Sequence, residues 1–227
     1  MDKVIIISGG SDGLGKTIAQ QLSQKYKVVI FSPTKEKLEK VSQEIGCSFE
    51  VCDVSDYNSV KIAVDNVIKE NGRIDCLINN AGVWIEGLLE TNSPEEIKKV
   101  IDINTIGTFF LTKAVILQMK KQSKGRIINV ISQAGLYGKA ERSIYTASKW
   151  AITGFTKSIE PELKQYGISV TGLYPGKMKT EMFAKMGIKK DMSDGLDTKD
   201  MAKTIEFILS FGNETTFPEI GIKNLKN

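Results

Sequence analysis

Histidine is absent from all 227 residues. That absence removes Ser-His-Asp hydrolysis and every histidine-ligated metal site from the candidate chemistries. Cysteine is scarce. Cys47, Cys52 and Cys76 are odd in number and lack metal-ligand spacing, so they read as small buried hydrophobes in a reducing cytosol. No apolar run approaches the roughly 20 residues that span a bilayer. The opening MDKVIIISGG reads as a strand entering a glycine turn, not as a signal peptide. Charge of one sign is lacking too: the net charge is +4, with lysines interleaved among acids, which gives little support to nucleic-acid binding. Neither a nucleic-acid nor a membrane partner is expected, and the cytoplasm is the expected compartment. Linkers, repeats and low-complexity tracts are also missing, so one domain over 1–227 is expected.

What the chain does have is alternation. Short runs rich in Val and Ile occur at 3–8, 27–31, 48–52, 74–79, 126–131, 169–173 and 219–222. Amphipathic patterns fill the gaps at 14–24, 35–45, 56–70, 94–120, 143–166 and 198–209. This pattern predicts βαβ units around a doubly wound parallel sheet of about seven strands, with helices on both faces. The irregular stretch 177–197 is long for a loop and is expected to be functional, on the substrate side. Ligands of such sheets bind beyond the carboxyl ends of the strands. Those ends carry the glycine turn, Ser32, Asp53, the NNAG of 79–82, Ser132 and the YPG of 174–176.

The turn SGGSDGLGKT (8–17) fits two templates. Gly10-x4-Gly15-Lys16-Thr17 matches the P-loop that cradles ATP or GTP phosphates. Gly9-x3-Gly13-x-Gly15 has the spacing of one kind of dinucleotide-binding turn, whereas the common GxGxxG fails because Ile18 stands at its third glycine. The turn alone decides nothing.

Tyr145 and Lys149 lie four residues apart in YTASK and share a helix face. A tyrosine hydroxyl has a pKa of about 10 and is a poor acid or base at neutral pH. A lysine ammonium nearby lowers it; about three units corresponds to about 4 kcal/mol of differential stabilisation. Such a pair passes a proton to or from an alcohol or carbonyl oxygen. The same spacing also arises by chance on solvated helix faces. Ser132, thirteen residues earlier, falls at a strand end, and Asn104 is a polar residue in an otherwise apolar helical pattern.

Taken together, these motifs resemble the short-chain dehydrogenase/reductase family, the compact Rossmann-fold oxidoreductases. The likeness runs from residue 3 to about 209. SGGSDGLG resembles the family's TGxxxGxG with Ser8 for threonine; CDVSD, NNAG and PGKMKT resemble further family motifs. Asn104, Ser132, Tyr145 and Lys149 fall on the catalytic tetrad. The resemblance implies hydride transfer between a nicotinamide cofactor and a carbonyl/alcohol pair. Ser132 would bond the carbonyl oxygen, Tyr145 would deliver the proton, Lys149 would hold the nicotinamide ribose, and Asn104 would hold a water. It also implies cofactor contacts from Gly9, Ser11, Gly13, Leu14 and Gly15 in the turn. Further contacts would come from Ser32, from Asp53 and Val54, and from Asn80, Ala81 and Gly82. Tyr145, Lys149, Pro175, Gly176 and Thr180 complete the set.

NADP(H) is favoured, with NAD(H) possible. The second strand ends at Ser32 and Pro33 with no carboxylate to repel a 2′-phosphate, although Asp12 stands where NADP enzymes often place a basic residue. If Asp53 is not an adenine ligand it is a helix cap, with Ser55 the better candidate. Trp84, Ile85, Tyr174, Met178, Met182, Phe183 and Met186 are each either pocket wall or ordinary core; Lys177, Lys179, Lys185, Lys189 and Lys190 would attract an anion or line a solvated face. The resemblance also implies a homodimer or homotetramer through the 94–120 and 143–166 helices, with Trp150 packed there. Two other readings compete: a non-catalytic dinucleotide sensor on the same fold, and a P-loop phosphotransferase that leaves the tetrad unexplained.

The two templates for the turn differ on Lys16. If the dinucleotide template holds, Lys16→Ala keeps turnover within about twofold. A P-loop lysine cannot be removed so cheaply, because it touches the transferred phosphate. A steady-state assay of the variant distinguishes them, and near-complete loss of activity would restore the P-loop reading.

Overall fold

The computed structural model describes residues 3–180, 187 and 191–226. Met182, Phe183, Met186, Lys185, Lys189 and Lys190 lie outside the described residues. The chain runs β1 (Val4–Ser8), α1 (Gly13–Leu22), β2 (Lys27–Ser32), α2 (Lys35–Ile45), β3 (Ser48–Val51), α3 (Tyr57–Asn71) and β4 (Cys76–Asn79). It continues through α4 (Pro94–Ile101), α5 (Gly107–Gln122), β5 (Gly125–Val130), α6 (Ser143–Lys164), β6 (Ile168–Pro175), α7 (Thr198–Ser210) and β7 (Glu219–Ile222). The strands form one seven-stranded sheet in the order β3-β2-β1-β4-β5-β6-β7, every pair parallel. The doubly wound Rossmann arrangement read from the alternation is therefore present.

A strand buried on both faces has no polar side to show, and β1 illustrates it: all of VIIIS is buried. Successive side chains point to opposite faces. Ile5 and Ile7 join the core under α1, α2 and α7, with Ile18, Leu38 and Ile205. Val4 and Ile6 join the opposite core with Val64 of α3, Val115 of α5 and Ile159 of α6. Ile6 is registered against Val29 on one side and Leu77 on the other. The chain leaves β1 toward β2 and β3 on one side and returns to build β4 through β7 on the other, so the strand order reverses between β1 and β4. A crevice opens at the carboxyl ends of strands where that happens.

The single helix expected at 94–120 is three segments. α4 starts with a capping box: Ser93 Oγ accepts from Glu96 N at 3.2 Å and Glu96 Oε2 accepts from Ser93 N at 3.0 Å. Asp102–Ile106 then forms a π-helical turn, in which Gly107 N reaches back five residues to Asp102 O, before α5 resumes. Periodicity cannot register one inserted residue, and π-turns of this kind concentrate at functional sites. The combined Pro94–Gln122 helix, 29 residues long with a mean hydropathy of 1.6 over its most apolar window, is long and apolar enough by composition to cross a membrane; 44% of that window is buried in the protein. Its apolarity serves the core through Leu111, Val115 and Met119.

One cap differs from expectation. Asp56 caps α3, accepting from Asn58 N at 2.9 Å, while Ser55 donates both N–H (2.9 Å) and hydroxyl (2.6 Å) to Asp53 Oδ1. Asp53 closes a local turn ahead of the cap, and this removes Ser55 from the capping role.

Gly15 is fixed by contact with its neighbours. A Cβ there would lie 2.2 Å from Gly9 O and 2.6 Å from Asn80 Nδ2, both part of the turn's frame. Gly15→Ala is expected to lower stability by about 2 kcal/mol or more, the scale of overpacking against a backbone that cannot yield. Urea unfolding measures it; a loss below about 0.5 kcal/mol would mean that the turn gives way easily.

Candidate active site

The crevice is built by hydroxyl and amide clamps. Ser8 Oγ accepts from Asn80 N and Ala81 N, each at 3.0 Å, and Asn80 Nδ2 donates to Ser8 O at 3.0 Å. The end of β4 is thereby tied to the end of β1. Beneath it, Asn79 Nδ2 donates to Asn129 Oδ1 (2.8 Å) and Thr112 Oγ1 (3.1 Å), and Asn129 Nδ2 donates to Thr156 Oγ1 (2.8 Å). The NNAG run is thus a set of cross-links between β4, β5 and the helices behind them. Gly9 (φ 66°) and Gly13 (φ 49°) hold the left-handed backbone that the turn requires. A Cβ on Gly13 would meet nothing within 4 Å, so that face of the turn is open. Asp12 caps α1, accepting from Gly13 N at 2.7 Å.

The π-turn brings Asn104 under the segment that follows β4. Its Oδ1 accepts from Val83 N at 2.7 Å, and its Nδ2 donates to Val83 O at 2.9 Å and to Ser148 Oγ at 3.1 Å. A Cβ on Gly82 would sit 3.3 Å from Asn104 Oδ1 and 3.7 Å from Lys149 Nζ, so Gly82, Asn104 and Lys149 meet at one point. Ser132 is held at φ 148°, which costs a non-glycine residue on the order of 1–3 kcal/mol. Its Oγ accepts from Ala134 N at 3.1 Å and caps the short 3₁₀ turn Gln133–Gly135.

Tyr145 and Lys149 are both buried, on the first and second turns of α6. Burial pushes the Tyr145 phenol up to about 12, while a hydrogen bond from Ser132 and the charge of Arg142 act the other way. Burial also pulls the Lys149 ammonium down to about 8. The expectation that Lys149 holds the phenol below its ordinary value is not met here. Lys149 Nζ donates to Val130 O at 3.2 Å and stands 5.7 Å from the phenol ring centre, so desolvation wins. At neutral pH the site presents a protonated phenol beside a charged ammonium.

One cavity of about 970 Å³ runs from the glycine turn to Tyr145. That is the upper end of the range for small-molecule sites. Of the residues singled out from sequence, Gly9, Ser11, Gly13, Leu14, Asn80, Ala81 and Gly82 line it, together with Ser132, Tyr145, Lys149, Pro175, Gly176 and Thr180. Gly15, Ser32, Asp53, Val54 and Asn104 do not line it. Gly15 and Asn104 support it from behind. Ser32 is reached through Ser11, whose Oγ donates to Ser32 Oγ at 2.8 Å. Val54 is core, against which a Gly107 Cβ would close to 2.7 Å. Trp84, Ile85 and Met178 line the cavity, and so does Lys177, paired with Asp194. Tyr174 does not: it is fully buried, and its hydroxyl donates to Glu219 Oε1 at 3.1 Å at the far edge of the sheet. Lys16 points away from the turn to Glu44 Oε2 at 2.7 Å, and Thr17 bonds Gly13 O and Thr198, so neither is placed to cradle phosphate.

Arg142 belongs to none of the motifs in the sequence. It lines the cavity, lies one turn before Tyr145, and sits 4.9 Å from the centre of the Trp84 ring. Its three-residue offset from Tyr145 was the available signal. The described residues hold no cluster suited to a metal. The open face at Gly13, the N-terminus of α1 directed into the cavity and the cavity's length all fit a dinucleotide.

The profile of the short chain dehydrogenase family matches residues 3–191. Carbonyl reductase family member 4 of Xenopus laevis is 33% identical over 218 residues, covering 92% of each chain. A 3-oxoacyl-acyl-carrier-protein reductase of Haemophilus influenzae is 33% identical over 219 residues, covering 92% of this chain and 90% of that protein. Among solved structures, ElxO with NADP bound superposes with a TM-score of 0.89 at 31% identity, over 98% of this chain and 97% of that one.

The burial of Lys149 gives a signed expectation. Its folded value of about 8 lies below the ordinary 10.5, so between those values the unfolded chain binds more protons and wild-type stability gains as pH rises. Lys149→Met lacks this dependence. The stability difference between the two proteins should move toward wild type by on the order of 3 kcal/mol from pH 7 to pH 10.5. Paired urea titrations read it, and a difference that stays constant with pH would mean that the ammonium is not buried.

Proposed function

The chain belongs to the short-chain dehydrogenase family, and from that premise we propose that it is an NADP(H)-dependent carbonyl reductase with Tyr145 as the proton donor. The observation that carries the residue assignment is the convergence of Ser132, Tyr145 and Lys149 on the wall of one cavity that also reaches the glycine turn. A bound dihydronicotinamide supplies the hydride to the carbonyl carbon.

The chain's own residues handle the oxygen and its proton. Ser132 Oγ accepts from Ala134 N, and its hydroxyl, hydrogen-bonded to Tyr145 at rest, turns its hydrogen to the substrate oxygen. Tyr145, kept protonated by burial, donates its proton to that oxygen as negative charge develops there. The Lys149 ammonium stabilises the phenolate left behind and bonds the ribose hydroxyls. Asn104 fixes the 82–83 backbone against Lys149, and its second Oδ1 lone pair orders the water that returns a proton.

For the cofactor, NADP(H) is preferred. No carboxylate ends β2, and the Ser11–Ser32 hydroxyl pair stands there with Lys35 opening α2. The NADP held by ElxO supports the same choice. Asp53 accepts from Ser55 through Oδ1, which leaves its other oxygen to accept from an adenine amine. The segment 177–197 is assigned to the substrate side of the single domain, and Lys177, Met178 and Asp194 already line the cavity. The wall by Tyr145 is apolar, with Trp84, Ile85, Val100 and Ala134, and suits a carbonyl carried on an apolar chain, such as a ketone or a 3-oxoacyl thioester. Leu117 on α5 and Trp150 on α6 are 65% and 51% exposed, and a second subunit would cover them. Three free thiols suit a reducing compartment, the cytoplasm.

Tyr145→Phe should lose about a thousandfold or more in kcat, the upper range for a proton donor. It should keep its affinity for NADPH, read by nicotinamide fluorescence. The assay follows NADPH oxidation against ketones, aldehydes, quinones and 3-oxoacyl thioesters. A Tyr145→Phe protein that reduces carbonyls at the wild-type rate would overturn the assignment.

A further inference from the structure

Beside Tyr145 the structure holds a short stack of side chains drawn from two loops. The Trp84 ring packs on the Tyr145 ring with centroids 4.2 Å apart and planes at 51°. The Arg142 guanidinium lies 4.9 Å from the Trp84 ring centre, a cation–π distance. Glu86 Oε1 accepts from Arg142 Nε at 3.3 Å and Nη2 at 3.2 Å, so two donors fix the orientation of the guanidinium. The two loops are joined by backbone as well: Gly87 N donates to Glu141 O at 2.8 Å. That junction uses unusual conformations on both sides, Gly87 at φ 140° and Glu141 at φ 63°. A non-glycine residue in the left-handed region persists only where its surroundings hold it. The side chains of Arg142 and Glu86 keep only 20% and 21% exposure, so solvent screens their charges partly.

We propose that Arg142, seated on Trp84 by Glu86, is a positioning residue that fixes the Tyr145 ring and supplies, beside Lys149, a second positive charge for proton transfer. This rests on the reading of Tyr145 as the proton donor. The other charged groups on the cavity wall are Lys149 on α6, Glu96 and Lys99 on α4, and Lys139 in the loop before α6. Asp12 comes from the glycine turn, and Lys177 and Asp194, paired with each other, from the segment after β6. Arg142 is carried against the Trp84 ring that packs on Tyr145, and its positive charge opposes the effect of burial on the phenol. Lys149 is turned to Val130 O. The geometry divides the work: Lys149 serves the cofactor side of Tyr145, and Arg142 serves the side of the Trp84 wall.

The charges of Arg142 and Glu86 have opposite signs, so the two residues can be tested against each other. Phenolate absorbance of the NADP⁺-saturated protein is titrated in the ultraviolet, with Tyr145→Phe subtracted to isolate the one phenol. Arg142→Gln should move that titration to higher pH by at least about half a unit, and Glu86→Gln should move it to lower pH. Arg142→Lys should restore the wild-type position while leaving kcat lowered, because a point charge keeps the electrostatics and loses the planar stack. Arg142→Gln should lower kcat at pH 7 by about fivefold or more with KM within about twofold, since only proton transfer is affected. Shifts in the same direction for both variants, or no shift in either, would overturn the proposal and leave a structural stack. If Arg142→Gln does not fold, the downward shift in Glu86→Gln and the lowered kcat of Arg142→Lys decide, and the absence of both overturns the proposal. The failure of the underlying reading looks different: Tyr145→Phe would then keep its turnover whatever the titrations show.

Discussion

The site depends on a clamp between the two strands where the sheet changes direction. Parallel strands leave the carboxyl ends of β1 and β4 side by side with nothing in the sheet to hold the segments beyond them. Ser8 and Asn80 supply that hold, through three hydrogen bonds of 3.0 Å. Gly9 must turn left-handed, and Gly15 must present no side chain, because the Asn80 amide and the Gly9 carbonyl fill the space where its Cβ would be. Each element constrains the next: the clamp fixes the turn, the turn fixes where α1 begins, and α1 fixes the end of the cavity, where a helix N-terminus offers backbone N–H groups to an anion.

The far end of the cavity follows from burial. Tyr145 and Lys149 are buried, and this desolvation favours the neutral form of each. For tyrosine that is the form able to give up a proton. For lysine the charge survives at neutral pH by a margin of about one unit. Both residues come from one face of α6, and their partners come from three other segments: Ser132 after β5, Asn104 in the π-turn and Trp84 after β4. Because Tyr145 and Lys149 lie four residues apart on one helix, helix geometry fixes the spacing between them.

Much of this was legible in the sequence, for definite reasons. The Val and Ile runs gave the strands because strands buried on both faces admit few polar residues. The polar residues that follow those runs gave the clamp and Ser132 because strand ends are where the crevice must be, and the four-residue spacing on one helix face gave Tyr145 and Lys149. Lys149 was placed, but its partner at rest was not, since the Val130 carbonyl is backbone and carries no sequence signal. Tyr174 was misplaced as a pocket wall because position along β6 does not tell which face of the strand it occupies. Ser55 was displaced as a cap by Asp56 because adjacent Asp and Ser residues score alike as caps, and only the local turn at Asp53 separates them. Arg142 escaped notice because its role comes from stacking on Trp84, 58 residues away in the chain.

The π-turn at Asp102–Ile106 has a geometric consequence. Each residue of an α-helix advances by about 100° around its axis. One inserted residue therefore resets the phase of everything that follows. Ahead of the turn, α4 directs Val100 to the cavity wall with Trp84 and Tyr145. Beyond it, α5 directs Leu111, Val115 and Met119 to the sheet. The two halves follow separate azimuthal registers, so one rod faces two different surfaces. Deleting one residue from the turn would join the registers, and either the cavity wall or the sheet core would be left without its helix face.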